Sequence, residues 1–403
     1  MTLVQELKSL RVACAVAQAG STTAAARLLH LSQPAVARAV LALEARLQLR
    51  LFDRAGRGMT PTEAAGPLLQ RTQRALERLA QAGGGRVTAW PQSRLATGAG
   101  HRHLEVLVSL ARTRAETQSA RELGISQPAV HQVLAQLEHM SGAPLFVRAR
   151  SGLRLTEAGD AALQAARLAV SEMRQADEEL AARRGRTQGR LVIGTLPFST
   201  AQLLPQAVDR VLSALPGLEV AIIDGTYDTL IQQLRHADID CIVGALRARP
   251  GADDLQQEAL FLDPLAVVAR ASHPLARGRR PDWRMLSRAQ WVMPMPNTPA
   301  QAAFEQAFRA AGVPVPDNPL RVNSAMVMQA LLARSDRLAM MSPRQVEPDI
   351  RAGLLTRLPV EVRHEPRTIG VIRRADHLPT PAAQRLLDAL RAVAAEIGQA
   401  PIE

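Results

Sequence analysis

The strongest constraint on this chain is that part of it is written twice. Shifted by 94 residues, Ser32-Gln33-Pro34-Ala35-Val36 falls on Ser126-Gln127-Pro128-Ala129-Val130. Over residues 26–64 the two stretches align without a gap, and 18 of 39 positions are identical. The identities include Leu43-Glu44 with Leu137-Glu138, Leu51-Phe52 with Leu145-Phe146, Arg54 with Arg148, Gly58 with Gly152 and Thr62-Glu63-Ala64 with Thr156-Glu157-Ala158. A duplicated unit fixes boundaries before any local structure is assigned. Two copies of one fold unit therefore occupy the first half of a 403-residue chain, which is long enough for about two to four domains.

Within each copy the local signals describe short helices, a tight turn, another helix, a small hairpin and a long helix. Ser21 is placed to cap a helix through Leu29, and a turn at His30-Leu31 leads to a second helix capped by Ser32. Pro34 falls in the first turn, where its missing N–H costs nothing. The turn residue in the second copy is Gly124, suited to positive φ; His30 is a poorer occupant. Val36, Val40, Leu43 and Leu47 recur at helical spacing and are read as core. Both hairpins carry a basic turn, with Arg54 and Arg57 in the first and Arg148, Arg150 and Arg154 in the second.

Charge is distributed unevenly. The formal net charge is +12; residues 1–190 hold 26 basic and 15 acidic side chains, and the remainder 23 and 22. An excess localised in the duplicated half attracts a polyanion, and nucleic acid is the usual one. An arginine-rich genome would raise Arg everywhere, which leaves unexplained why the balancing acids lie in the second half. Cys14 and Cys241 are the only cysteines, so neither a disulfide framework nor a CxxC zinc site can be built. No run approaches the roughly 18 apolar residues of a spanning helix. No membrane partner, no cofactor and no metal ligand set is expected, and a cytoplasmic location is.

The run from Ala24-Ala25 through Ser32-Gln33-Pro34-Ala35-Val36, Leu43-Glu44, Leu51-Phe52 and Arg54 to Thr62-Glu63-Ala64 resembles the winged helix-turn-helix of LysR-type transcriptional regulators, and it recurs in the second copy. The resemblance implies a long variant with two tandem modules. In a helix-turn-helix the second helix enters the major groove with its N-terminal residues on base edges. That implies DNA contacts from Ser32, Gln33, Pro34, Ala37 and Arg38, and from Ser126, Gln127, Pro128, His131 and Gln132, with Arg54, Arg57, Arg148 and Arg150 on phosphates. Gln pairs with adenine and Arg with guanine, and Arg38 is the preferred base contact. The family usually has a hydroxyl residue where Ala37 and His131 stand here. Residues 1–66 carry eight basic and four acidic side chains, residues 101–160 seven and six. The first module is therefore expected to dominate affinity. The long helix after the second copy, with Leu163, Ala166, Val170, Met173 and Leu180 on one face and Asp177 interrupting them, could pair with its twin in a dimer or pack on its own module.

Beyond Arg190 short apolar runs alternate with helical stretches, which implies a mainly parallel sheet covered by helices. Residues 368–372 read as a late strand returning to the first lobe. This half resembles the LysR-type effector-binding domain, an α/β fold of two lobes similar to periplasmic binding proteins, through Gly189-Arg190-Leu191-Val192-Ile193-Gly194, Leu204-Pro205, Pro216-Gly217 and Asp224-Gly225-Thr226. On that fold an effector cleft is lined by Thr195, Ser199, Thr200, Thr226, Asn297, Thr298, Asn323 and Ser324, several of which serve equally well as plain helix caps. The expected domains are residues 1–82, a winged module with a short linker helix; 83–100, a flexible linker; 101–187, a second module with a dimerisation helix; and 188–403, the effector domain.

The function so implied is a sequence-specific DNA-binding regulator modulated by a small-molecule effector. Its expected partners are double-stranded DNA, the effector, a second copy in a homodimer or homotetramer, and in addition RNA polymerase. One alternative is an architectural DNA-binding protein without effector control, although more than 200 residues of cleft domain would then have no use. The other is an enzyme in the second half. Gly194-Thr195-Leu196-Pro197 is no GxGxxG, and P-loop, GxSxG and HExxH patterns are missing. His273 reads as a loop residue and Cys241 as a core residue rather than a redox sensor.

Overall fold

The structure, a computed structural model, describes residues 2–55, 58–82, 93–185, 189–197, 201–247, 253–277, 280–317, 320–363 and 366–399. It divides into two compact units, one of residues 1–188 with 235–238, the other of residues 189–234 and 239–403.

In the first unit one order of elements occurs twice. The first set is α1 (Leu7–Ala19), α2 (Thr22–Leu29), α3 (Gln33–Leu47), β1 (Phe52–Ala55), β2 (Gly58–Pro61) and α4 (Gly66–Ala82). After α5 (Arg94–Gly98) the second set is α6 (His101–Thr113), α7 (Glu116–Leu123), α8 (Gln127–Ser141), β3 (Phe146–Ala149), β4 (Gly152–Leu155) and α9 (Glu157–Arg183). Ser21 and Ser32 cap α2 and α3 as their spacing predicts, Ser126, the repeat of Ser32, caps α8, and both His30 and Gly124 take the left-handed conformation the turn requires.

The residues shared by the two copies are those that tie the hairpin to the helix before it. Glu44 Oε1 accepts the amide N–H of Leu51 at 2.6 Å, and Glu138 Oε1 that of Leu145 at 2.9 Å. Thr62 Oγ1 donates to the Arg50 carbonyl at 2.7 Å, and Thr156 Oγ1 to the Pro144 carbonyl at 2.7 Å. The hairpin is also anchored to the first helix of its copy, through Met59 N–H to Gly20 O and Leu153 N–H to Arg114 O, both 2.8 Å. Gly152 makes the second anchor possible: its φ is +100°, and a Cβ there would lie 2.6 Å from the Arg114 carbonyl oxygen.

One continuous apolar core runs through both copies, from Leu3, Leu7 and Leu10 in the first to Leu137, Leu163 and Met173 in the second. Residues 93–100 were expected to be part of a loose linker, and this is corrected. Ser93 caps α5, Leu95 and Ala99 are buried, and Arg11 Nη2 donates to the Ala99 carbonyl at 2.5 Å. Apolar burial of this segment outweighs the flexibility that its small polar residues suggest; residues 83–92 of the expected linker lie outside the described residues. Asp177, which interrupts the apolar stripe of α9, accepts the Leu3 amide N–H at 2.9 Å, and burial raises its carboxyl pKa.

The second unit carries two sheets. Its elements are β5 (Gly189–Thr195), α10 (Leu203–Ala214), β6 (Leu218–Asp224), α11 (Tyr227–Arg235), β7 (Cys241–Ala245), β8 (Leu255–Asp263) and β9 (Ala266–Arg270). They continue as α12 (Pro274–Arg277), α13 (Trp283–Ser287), β10 (Gln290–Trp291), α14 (Pro299–Ala310), α15 (Ala325–Arg334), β11 (Arg337–Met341), α16 (Glu347–Arg351), β12 (Leu355–Arg357), β13 (Arg367–Arg374) and α17 (Pro381–Gln399). The first sheet has the order β6-β5-β7-β13-β8 and the second β10-β11-β9-β12. Each has helices packed on both faces.

The expectation of mainly parallel sheets is also corrected. β5 pairs in parallel with β6 and β7, and β10 with β11, but β13 runs antiparallel to β7 and β8, and β9 antiparallel to β11 and β12. The cause is connectivity: β8 leads straight into the second sheet at β9, and β13 returns to the first sheet between β7 and β8, reversing direction on each passage. No helix among the described residues is long and apolar enough to cross a membrane.

Candidate functional site

In each copy the helix after the turn buries one face and leaves its N-terminal edge open. Val36, Val40, Leu43 and Leu47 of α3 are buried, whereas Ser32, Gln33, Pro34 and Arg38 are exposed and Ala37 half-buried. Gln33 Nε2 donates to Thr22 Oγ1 at 3.1 Å, which steadies its amide at the start of α2. In α8 Val130, Leu134 and Leu137 are buried, and Ser126, Gln127, Pro128, His131 and Gln132 are exposed. The predicted residues of each copy thus lie together on one helix edge.

The two edges differ in chemistry. Thr22 and Glu116 occupy matching positions. Where Thr22 offers a hydroxyl to Gln33, Glu116 places a carboxylate 3.4 Å from His131 Nδ1. The second edge therefore carries an acid that would repel phosphate, and the first carries the cation Arg38 instead. In the hairpin of the second copy Arg148, Arg150 and Arg154 are all exposed, with Arg148 opposite Leu153 in the ladder. Arg54 sits on β1 opposite Met59, and Arg57 lies outside the described residues. Exposed arginines on a short hairpin, together with an open helix edge in the same copy, suit the alternating phosphates and base edges of a duplex.

What sequence inspection missed is the partner of the long helix. α9 packs against α4 of the same chain, around an arginine with no solvent exposure. Arg71 Nη1 donates to Glu172 Oε2 at 2.9 Å and Gln175 Oε1 at 2.6 Å, and Nη2 to Glu179 Oε1 at 2.7 Å. Arg74 Nε donates to Glu172 Oε1 at 2.9 Å. The only sequence signal was an arginine at an otherwise apolar helical phase, and the acids that satisfy it lie about a hundred residues away.

The predicted effector residues have mixed placements. Thr195 is buried at the end of β5. Thr226 Oγ1 accepts the Thr229 amide N–H at 3.3 Å, Thr298 Oγ1 that of Gln301 at 3.2 Å and Ser324 Oγ that of Val327 at 3.4 Å, so all three cap helices. Asn297 has φ +58° and its amide N–H donates to Gln301 Oε1 at 2.7 Å; Asn323 is exposed. Ser199 and Thr200 lie outside the described residues. None of the six described ones lines the cleft of about 320 Å³ formed by Arg280, Trp283, Ala307, Val360, Glu361 and Arg363.

Where β8 passes into the second sheet, a smaller pocket is bordered by Gln202, Asp263, Ser342 and Arg344. The buried Asp263 carboxylate there accepts from Ser342 Oγ at 2.7 Å and Arg367 Nη2 at 2.6 Å, and burial lowers the pKa of Arg367. His273 is buried, its Nδ1 accepting the Leu275 amide N–H at 3.0 Å. Cys241 is buried in the first sheet and its pKa is pushed up to about 12 by burial. Among the described residues no cluster of three or more His, Cys, Asp or Glu could hold a metal ion.

Two family models match this architecture. Residues 184–395 match the LysR substrate binding domain, and residues 7–66 and 101–160 each match the bacterial regulatory helix-turn-helix of the lysR family. The HTH-type transcriptional regulator GalR of Pseudomonas putida is 36% identical over 397 residues, covering 97% of this chain and 98% of that protein. The regulator PcaQ of Agrobacterium fabrum is 30% identical over 296 residues, 73% of this chain and 95% of its own. Among solved structures, full-length LysG of Corynebacterium glutamicum with bound effector Arg superposes with a TM-score of 0.55 at 21% identity, covering 73% of this chain and 98% of that one. The CbnR regulator complexed with its target DNA gives 0.53 at 20% identity, covering 72% and 99%. These two likenesses concern the fold. With the family models and the relatives taken together, the chain belongs to the LysR family of bacterial DNA-binding transcriptional regulators and is a regulator rather than an enzyme.

Proposed function

We propose that residues 1–82 and 101–187 are two winged helix-turn-helix modules, and that residues 188–403 form a two-lobed effector domain that modulates how they bind DNA. The observation that carries this reading is that each copy repeats an open helix edge followed by an arginine-bearing hairpin. Ser32, Gln33, Pro34, Ala37 and Arg38 face bases in the first module, with Arg54 and Arg57 on phosphates. Ser126, Gln127, Pro128, His131 and Gln132 do so in the second, with Arg148 and Arg150 on phosphates. Arg38 pairs bidentately with guanine, and the first module dominates affinity because its edge lacks the carboxylate of Glu116.

The effector is a small molecule held by hydroxyls and amides at strand ends and helix N-termini, drawn from Thr195, Ser199, Thr200, Thr226, Asn297, Thr298, Asn323 and Ser324. Backbone amides at such termini hold a carboxylate or sugar hydroxyl without a charged side chain. Effector binding favours one arrangement of the lobes, and this population shift changes how the modules are presented. The protein works in the cytoplasm, on duplex DNA and as a homo-oligomer, with RNA polymerase as a further contact.

Footprinting on the DNA upstream of the protein's own gene, at two salt concentrations, tests the reading. A discrete protected site that weakens steeply with salt is expected, and Arg38→Ala should shrink it. Diffuse protection alone would favour the architectural alternative.

A further inference from the structure

We infer that a single chain carries a complete DNA-reading pair, and that its target is a bipartite duplex site whose two half-sites differ in sequence. The inference rests on the assignment of both modules as DNA readers; the pairing itself is seen in the structure.

Three observations carry it. First, the two copies share one apolar core, and the described part of the segment between them is built into that core. Leu95, Ala96 and Ala99 are buried in the same cluster as α1 and α6. Close packing continues on both sides of the segment, where a Cβ at Gly98 would lie 2.6 Å from Met140 Sδ and one at Gly100 2.8 Å from Lys8 Cε. The copies therefore belong to one compact unit with one core, not to two beads on a string.

Second, the α4–α9 contact is specified as a pairing of unlike helices. The 94-residue shift that relates the copies continues into these helices, matching Leu69 with Leu163, Ala75 with Ala169 and Gln81 with Gln175. In that register the counterpart of Arg71 is Ala165, and the counterpart of Glu172 is Arg78. Two α9 helices from two chains, packed in this geometry, would bury Glu172 and Glu179 against Ala165 with no guanidinium between them. Two α4 helices would set Arg71 against Arg78. Only α4 with α9 brings the buried cation to its acids. This is discrimination by an uncompensated buried charge in each wrong pairing.

Third, the helix edges presented by the pair differ. Arg38 stands where the other edge has Gln132, Ala37 where it has His131, and Thr22 where it has Glu116. A pair of identical modules related by a two-fold axis reads a palindrome, because operator symmetry mirrors protein symmetry. A covalent pair of unlike modules is freed from that constraint and reads two different half-sites in a fixed order.

In vitro selection from a random duplex library, using the full-length protein, Arg38→Ala and Gln132→Ala, decides the matter. Both side chains are exposed, so both variants should keep the parent's thermal melt. The expected result is a non-palindromic pair of half-motifs at fixed spacing. Arg38→Ala should erase base preference in one half only and Gln132→Ala in the other only, each by about 5- to 150-fold at the affected base. A palindrome in which Arg38→Ala erases both halves and Gln132→Ala neither would overturn the single-chain pair while leaving DNA reading intact. A library that yields no enriched motif would overturn the reading role of the modules themselves.

Discussion

Replacing Arg71 by methionine removes the cation from the centre of the α4–α9 contact while nearly preserving its volume. Arg71 is fully buried, and its two terminal nitrogens donate to Gln175 and to the carboxylates of Glu172 and Glu179, whose side chains are 8% and 15% exposed. Arg74 still reaches Glu172 but not Glu179. Removing one partner of a buried ion pair costs about 3–5 kcal/mol, since the remaining charge is left in a poor solvent. At about 2–4 °C per kcal/mol for a unit of this size, the midpoint of the helical unit should fall by roughly 6–20 °C. Calorimetry should show this transition moving while that of the second unit stays in place. The triple variant Arg71→Met, Glu172→Gln, Glu179→Gln removes the stranded charges and should recover more than about half of the loss. A loss under about 1 kcal/mol for Arg71→Met alone would refute the reasoning, because it is the value of an exposed pair.

Other outcomes follow from the same geometry. Gly159→Ala should strongly destabilise the second copy, since a Cβ there would lie 2.0 Å from the Leu145 carbonyl oxygen; a melt within about 1 °C of the parent's would show that the hairpin yields freely. Arg148→Gln should weaken binding to all duplex sequences alike and lower the slope of log K against log salt by about one, as measured by anisotropy titration at several salt concentrations. Cys14 and Cys241, both with pKa raised from 9.0 to about 12 by burial, stay protonated at pH 8 and should resist alkylation in the folded protein. The sign for stability is also fixed. Unfolded thiols ionise from about pH 9 and folded ones only near 12, so these groups contribute stability below pH 9 that is lost as pH rises through that window. Rapid labelling at pH 8 without unfolding would contradict the burial.

The clefts of the second unit set a limit on reading ligand sites from residue type. Thr226, Thr298 and Ser324 were singled out because hydroxyls at helix starts can hold an anion, and each is engaged with an amide of its own helix. A hydroxyl that accepts one amide retains a donor and a second lone pair, so capping and ligand contact are compatible. Residue type at a helix start gives the cap; which caps converge on one space depends on how the strands carry the loops.

The sequence alone determined everything that depends on near neighbours. The 94-residue repeat, the serine caps at 21, 32 and 126, the left-handed turns at His30 and Gly124 and the buried face of α3 are consequences of steric rules and helical spacing within about ten residues. The tertiary structure alone decided which helix α9 would meet, why an arginine and an aspartate sit in otherwise apolar stripes, and where β13 inserts. Arg71 meets its acids 101 to 108 residues away, and Asp177 meets Leu3 174 residues away. The same apolar stripe on α9 could serve a twin from a second chain or α4 of its own. Apolar burial is non-directional and accepts either; the choice falls to one buried charge whose partners lie on the other copy.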